Sequence, residues 1–158
     1  MKIHLVAIGQ KMPKWIEDGY DEYSKRMPHN CRVELHELPA AKRTKNTNAK
    51  LHKQQEWLSI QRFLKKTPGA IVIALDEFGK PWSTKILSAE LSEWIVSGKD
   101  VVLLIGGPDG LDPECLSFVS CSRSLSKLTM PHYMVRIVLI EQIYRAYSLL
   151  GGHPYHRE

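Results

Sequence analysis

No apolar run in this sequence approaches the ~20 residues that a helix needs to cross a bilayer, so no membrane span is expected. The start, Met1-Lys2-Ile3-His4, has no long apolar core followed by a small-residue cleavage site, so no signal peptide is expected either. Cysteine is scarce. Cys31, Cys115 and Cys121 form neither a C-x-x-C pair nor an even framework, which excludes a disulfide scaffold and fits a reduced, cytoplasmic protein with buried thiols. Several chemical fingerprints are missing as well. The chain has no G-x-G-x-x-G after its first strand, no P-loop lysine, and no G-x-S-x-G elbow. Ser124-Leu125-Ser126-Lys127 fits the short S-x-x-K pattern, but the companion motifs are absent. His153-Pro154-Tyr155-His156 offers at most half a metal site, and its proline opposes a rigid helical arrangement, so no metal is expected. With no repeat, low-complexity stretch or linker, residues 1–158 read as a single domain.

What is present is an ordinary globular composition, with 43% hydrophobic and 25% charged residues, enough to bury a core without staples. The formal net charge is +5, and it is unevenly spread. Between Lys42 and Lys66 stand Lys42, Arg43, Lys45, Lys50, Lys53, Arg62, Lys65 and Lys66 against one acid, Glu56. Such a stripe attracts a polyanion such as RNA, by long-range steering and counterion release.

Periodicity gives an alternation of strands and helices. The run Ile3–Ile8, closed by Gly9, reads as a buried strand, and Pro13 opens a helix whose Trp15, Ile16, Tyr20, Tyr23 and Met27 share one face. A second strand is expected over 31–38 and a helix over 48–66, ended by Thr67-Pro68-Gly69. The continuous apolar runs 70–75 and 101–105 fit parallel strands covered on both faces. Between them a helix starts at Ser83 or Thr84 and stops at Ser97-Gly98. A short helix is expected over 113–118, a weaker strand over 124–128, and a long helix over 133–150. The fold class is therefore α/β, a mostly parallel sheet with helices on both faces.

Sheets of this kind bind ligands beyond the carboxyl ends of their strands. Three segments lie there: Leu75-Asp76-Glu77-Phe78-Gly79, Gly106-Gly107-Pro108-Asp109-Gly110, and Ser126-Lys127-Leu128-Thr129-Met130-Pro131-His132. The glycines let backbone approach a ligand closely. The last helix is apolar nearly all round, from Met134 through Leu150, which a domain this small cannot cover alone; a homodimer is expected. His132 and Arg136 sit one turn apart at its start, and Arg145 lies one turn after Glu141 as an intrahelical partner. The tail His153-Pro154-Tyr155-His156-Arg157-Glu158 is rich in groups that stack on bases and hold phosphates.

These residues together resemble the RlmH (YbeA-like) family of SPOUT methyltransferases. The likeness runs through Leu5-Val6-Ala7-Ile8-Gly9, Lys11-Met12-Pro13 with Trp15, Gly79-Lys80-Pro81-Trp82 and Leu104-Ile105-Gly106-Gly107-Pro108-Asp109-Gly110-Leu111. It is most specific in Leu125-Ser126-Lys127-Leu128-Thr129-Met130-Pro131-His132, in Glu141-Gln142-Ile143-Tyr144-Arg145-Ala146 and in the tail. The resemblance implies a SPOUT-type fold with a C-terminal trefoil knot. It also implies a homodimer, S-adenosyl-L-methionine as methyl donor, and N3 of a pseudouridine in 23S rRNA of the assembled ribosome as acceptor. Carried over by position, it places the cofactor at Leu75, Gly106, Gly107, Ser126, Lys127, Leu128, Thr129, Met130 and Pro131. In the catalytic reading, Arg136 or Arg157 steadies negative charge on the base carbonyls, His132 or His156 accepts the proton, and Tyr155 stacks on a base. Two other readings stay open: a tRNA methyltransferase of the same class, and an RNA-binding or ribosome-assembly factor without catalysis. A nucleotide-binding oxidoreductase is disfavoured by the missing G-x-G-x-x-G.

Overall fold

A computed structural model describes residues 1–156; Arg157, Glu158 and the side chain of His156 lie outside the described residues. The apolar runs become five strands of one sheet, β1 (Lys2–Ile8), β2 (Arg32–Leu38), β3 (Ile71–Pro81), β4 (Val101–Ile105) and β5 (Cys121–Ser124). All ladders are parallel, in the order β2-β1-β4-β3-β5. The helices are α1 (Lys14–Ser24), α2 (Ala49–Leu64), α3 (Thr84–Ser97), α4 (Pro113–Phe118) and α5 (His132–Leu150).

Side-chain alternation along β1 sorts the core into two layers. Ile3, Leu5 and Ala7 join Tyr20 of α1, Leu87, Leu91 and Trp94 of α3, and Leu139, Ile140 and Ile143 of α5. Val6 and Ile8 join Trp57 and Ile60 of α2 and Cys115 of α4 on the other face. Each fully buried Leu or Ile here contributes about 1.5–3 kcal/mol relative to exposure. Local chemistry fixes the helix ends. Asn48 Oδ1 accepts from Leu51 N at 2.9 Å to open α2, and Ser83 Oγ accepts from Ile86 N at 3.2 Å to open α3. Gly98 closes α3 in the left-handed conformation, at φ +66°.

Two expectations need correction. β3 does not end at Leu75; it continues to Pro81 across an irregularity between Leu75 and Lys80. The fifth strand is not 124–128 but Cys121–Ser124, paired to Ile73–Leu75 and then to Lys80 and Pro81 of β3, with Trp82 N donating to Ser124 O at 2.9 Å. Beyond Ser124 local hydroxyl bonds turn the chain out of the sheet: Ser124 Oγ donates to Ser126 O at 3.0 Å, and Ser126 Oγ accepts from Leu128 N at 2.9 Å. Helix α5 buries one stripe, Leu139, Ile140, Ile143 and Ala146, between α1 and α3. Met134, Ile137, Val138, Tyr144 and Leu149 are only partly covered within one chain.

Candidate active-site cleft

The carboxyl ends of β3, β4 and β5 open onto one cleft of about 210 Å³. Its walls are Leu75-Asp76-Glu77, Ile105 to Pro108 with Gly110 and Leu111, Arg123 to Ser126, Leu128 to Met130, and Val135 of α5. The structure thus brings together Leu75, Gly106, Gly107, Ser126, Leu128, Thr129 and Met130 from the sequence expectation. Lys127 and Pro131 belong to the same loop but do not line the cleft. The sequence places Asp76 and Glu77 in one of its three ligand-binding segments without assigning either to the cofactor, and gives no such signal for Arg123, Leu125 or Val135. The two acids follow Leu75 directly, at the irregularity in β3.

The glycine loop is shaped by contact. A Cβ on Gly106 would stand 2.8 Å from the Gly110 carbonyl carbon, and one on Gly107 would meet Ile8 Cγ2 at 2.9 Å. Gly110 closes the turn, its N donating to Gly107 O at 3.0 Å. The loop is also pinned from outside. Asp109 Oδ2 accepts from Arg43 Nη2 at 2.8 Å and faces His52 Nδ1 at 3.1 Å. Arg43 reaches back to Ala41 O at 3.1 Å, while Ala41 N donates to the buried Glu56 carboxylate at 3.0 Å. Partial burial pushes the Asp109 carboxyl up, but the Arg43 and His52 hydrogen bonds outweigh it and hold the group below its ordinary range. Arg43 is therefore an organiser of this loop as well as a member of the basic stripe. Lys42, Lys45, Lys50, Arg62, Lys65 and Lys66 stay exposed.

The donor set suits a ligand with an adenine-like ring and a cationic centre. Leu75, Ile105, Leu125, Leu128, Met130 and Val135 supply apolar surface, and backbone of 105–107 and 124–130 supplies donors and acceptors. Asp76 and Glu77 bring negative charge to one wall, while the Arg123 guanidinium is paired with Glu90.

His132 begins α5 just after the cleft loop, half-buried, its ring 4.1 Å from that of Tyr133. Burial first, then the cations Arg136 and Arg43, hold its pKa below the ordinary imidazole value. Arg136 requires correction as a group facing a ligand. It is 0% exposed, with Nη1 on Glu37 Oε1 at 2.5 Å and Nη2 on Gly9 O at 2.7 Å and Ile8 O at 3.2 Å. One turn after His132, the side chain points down to the end of β1 rather than out to the cleft. Tyr155 is also elsewhere within a single chain: its hydroxyl donates to Glu141 Oε1 at 3.2 Å, its ring lies 4.7 Å from Tyr144, and Arg145 covers it at 5.1 Å. Arg145 keeps the expected bond to Glu141, at 2.6 Å. Arg157 and the His156 side chain, both expected to be catalytic, lie outside the described residues.

Comparison with known proteins adds an independent line. A family model described as "Predicted SPOUT methyltransferase" matches residues 1–156. The chain is 49% identical over its full length to the whole of a Hahella chejuensis protein named Ribosomal RNA large subunit methyltransferase H. It is 47% identical to the protein of that name from a Marinomonas strain, covering 99% of this chain and 100% of that one. In fold it is similar to a Legionella pneumophila protein described as a methyltransferase and solved with bound cofactor SAM. That likeness has a TM-score of 0.53 at 16% identity and covers 93% of this chain and 66% of that one.

Proposed function

Since the chain belongs to the SPOUT methyltransferase family, we propose that it methylates 23S rRNA of the large ribosomal subunit, at N3 of a pseudouridine, with S-adenosylmethionine as donor. The observation that carries this reading is one cleft shared by loops of β3, β4 and β5, with glycine backbone on one wall and two carboxylates on another. When bound, S-adenosylmethionine supplies a methyl group on a sulfonium cation. The residues of the chain do the rest. Gly106 and Gly107 leave backbone open to a ring, Leu75 and Met130 supply an apolar wall, and Asp76 and Glu77 favour the cation.

The acceptor nitrogen lies between two carbonyls and carries an acidic proton. His132 is the proton acceptor in this reading, because a depressed pKa keeps the imidazole neutral near pH 7. A base works only when neutral, so kcat/KM should be full above that pKa and fall as pH drops through it, below pH ~6.5. A His132→Gln variant should lose that acidic limb and about 10²–10⁴ of the rate; a profile unchanged in shape would remove His132 from the chemistry.

The homodimer belongs to the same proposal. The partly covered side chains of α5 and the exposed Trp15 of α1 suit a second copy, and a partner's tail could then bring its Tyr155, His156 and Arg157 to this cleft. The trefoil knot expected of the family belongs to the same proposal. In this reading the ribosomal particle provides the docking surface. The exposed lysines and arginines of the 42–66 stripe would meet it. Reversing Lys42, Lys45, Lys65 and Lys66 should weaken RNA affinity by at least about tenfold and flatten its dependence on salt; an unchanged affinity would remove the stripe from the interface.

The test is methyl transfer from labelled S-adenosylmethionine to isolated 30S, 50S and 70S particles lacking the modification. Label on a pseudouridine only in 50S-containing particles supports the proposal. No label in any particle, with S-adenosylmethionine still bound, would move the substrate to tRNA, and absence of both label and S-adenosylmethionine binding would favour a non-catalytic RNA-binding role.

A further inference from the structure

At the amino ends of the strands, away from the cleft, β1 and β2 place three ligand-type groups face to face. The parallel register sets His4 beside Glu34 and Val6 beside His36, so all three side chains point to the α2 side of the sheet. His4 Nδ1 lies 3.0 Å from His36 Nε2, and Glu34 Oε2 lies 3.8 Å from each of those nitrogens. A point equidistant from three atoms so spaced is about 2.1 Å from each, which is the Zn²⁺ bond length to imidazole nitrogen and carboxylate oxygen.

The surroundings complete the pattern. The His4 side chain is only 8% exposed, and its second nitrogen, Nε2, is buried without a hydrogen-bond partner. That nitrogen points at Asp100 Oδ2, 3.6 Å away. A metal-bound imidazole places its remaining N–H on such a carboxylate. With Nδ1 on a metal, His4 would carry its proton on Nε2 and the loose contact to Asp100 would close into a hydrogen bond. Asp100 is held for this, its other oxygen accepting from Lys2 N at 2.7 Å. The Phe63 ring lies 4.7 Å from that of His36 and 5.9 Å from that of His4, giving the pair an apolar backing. The Glu34 and His36 side chains are 34% and 31% exposed, which leaves an open side for entry and for a water as fourth ligand. The charges facing the cluster are Lys2, whose Nζ holds Glu34 Oε1 at 2.9 Å and leaves Oε2 free, and Asp100; Lys66 and Lys99 line the adjoining cleft.

We infer that His4, Glu34 and His36 form a site for a divalent transition metal, Zn²⁺ first, with Asp100 orienting His4 from behind. The site would clip the edge strand β2 to β1 and is independent of the methyl-transfer reading. No spacing rule reveals it, because its residues come from two strands about 30 positions apart.

The test uses full-length, tag-free, chelator-stripped protein titrated with Zn²⁺ by calorimetry, with Co²⁺ as a spectroscopic probe. One Zn²⁺ per chain, tetrahedral Co²⁺ bands and a Zn²⁺-dependent rise in melting temperature are expected. His36→Gln and Glu34→Gln, both at partly exposed positions, should weaken binding by more than about tenfold, Asp100→Asn by about tenfold, and His153→Gln not at all. S-adenosylmethionine affinity should stay the same in His36→Gln, which also reports that the variant is folded. No stoichiometric binding, or binding equal in wild type and the His36 and Glu34 variants, would overturn the inference.

Discussion

Replacing Arg136 by alanine should lower stability by about 3 kcal/mol, the low end of what breaking a buried ion pair costs. The low end applies because Glu37, left behind, is 30% exposed and can rehydrate. The carbonyls of Ile8 and Gly9 cannot do so as readily, since the β1 end they occupy is closed over by the helix. A chain of this length should lose roughly 6–12 °C of melting temperature. Arg136→Met fills the space but leaves three acceptors without their donor, so it should recover only part of the loss. Adding Glu37→Gln to Arg136→Met should restore more, because removing both charges avoids the uncompensated one. Thermal melts of the wild type, Arg136→Met, Glu37→Gln and the double variant give the coupling directly. A single-variant change within about 0.5 kcal/mol, typical of surface positions, would return Arg136 to the list of groups facing the substrate.

Arg136 shows where reading a sequence stops. Its distance from His132 was correctly one helical turn, but spacing along a helix does not say which neighbour the far side meets. The strands β1, β3 and β4 were legible because a strand covered on both faces must be apolar throughout, and Val101–Ile105 and Pro113–Phe118 fell where expected. Ser83 and Gly98 were legible because helix ends have their own chemistry. β5 was not, since Cys121-Ser122-Arg123-Ser124 has no apolar period; it is a strand because the free edge of β3, Ile73 to Leu75 and then Lys80 and Pro81, offers it partners. The cleft loops were legible from topology alone, as parallel strand ends are where ligands go. The Arg43–Asp109–His52 clamp was not, because it joins residues 66 and 57 positions apart through side chains that local pattern treats as solvated charge.

That clamp and the glycine turn make Gly106 the most sensitive position of the cleft. Gly106→Ala should leave the protein folded, destabilised by about 1–3 kcal/mol, and reduce both S-adenosylmethionine affinity and methyl transfer by roughly 10²-fold. The new Cβ would stand 2.8 Å from Gly110 C, 3.1 Å from Gly110 Cα and 3.0 Å from Leu111 N. These are backbone atoms, so no rotamer change relieves the contact. The loop cannot slide outward freely either, because Asp109 is tied to Arg43 and His52 and Gly107 bridges Gly110. Displacement must therefore go into the cleft wall, where a shift of about 1 Å costs on the order of a hundredfold in a positioned reaction. Gly110→Ala is the contrast. Its Cβ would meet nothing within 4 Å, and only the φ of +80° penalises it, by about 1–2 kcal/mol. Binding should then fall far less than in Gly106→Ala at similar loss of stability. Calorimetric titration of both variants decides the matter: equal losses would mean the loop acts only through stability, and full affinity in Gly106→Ala would place the methyl donor elsewhere.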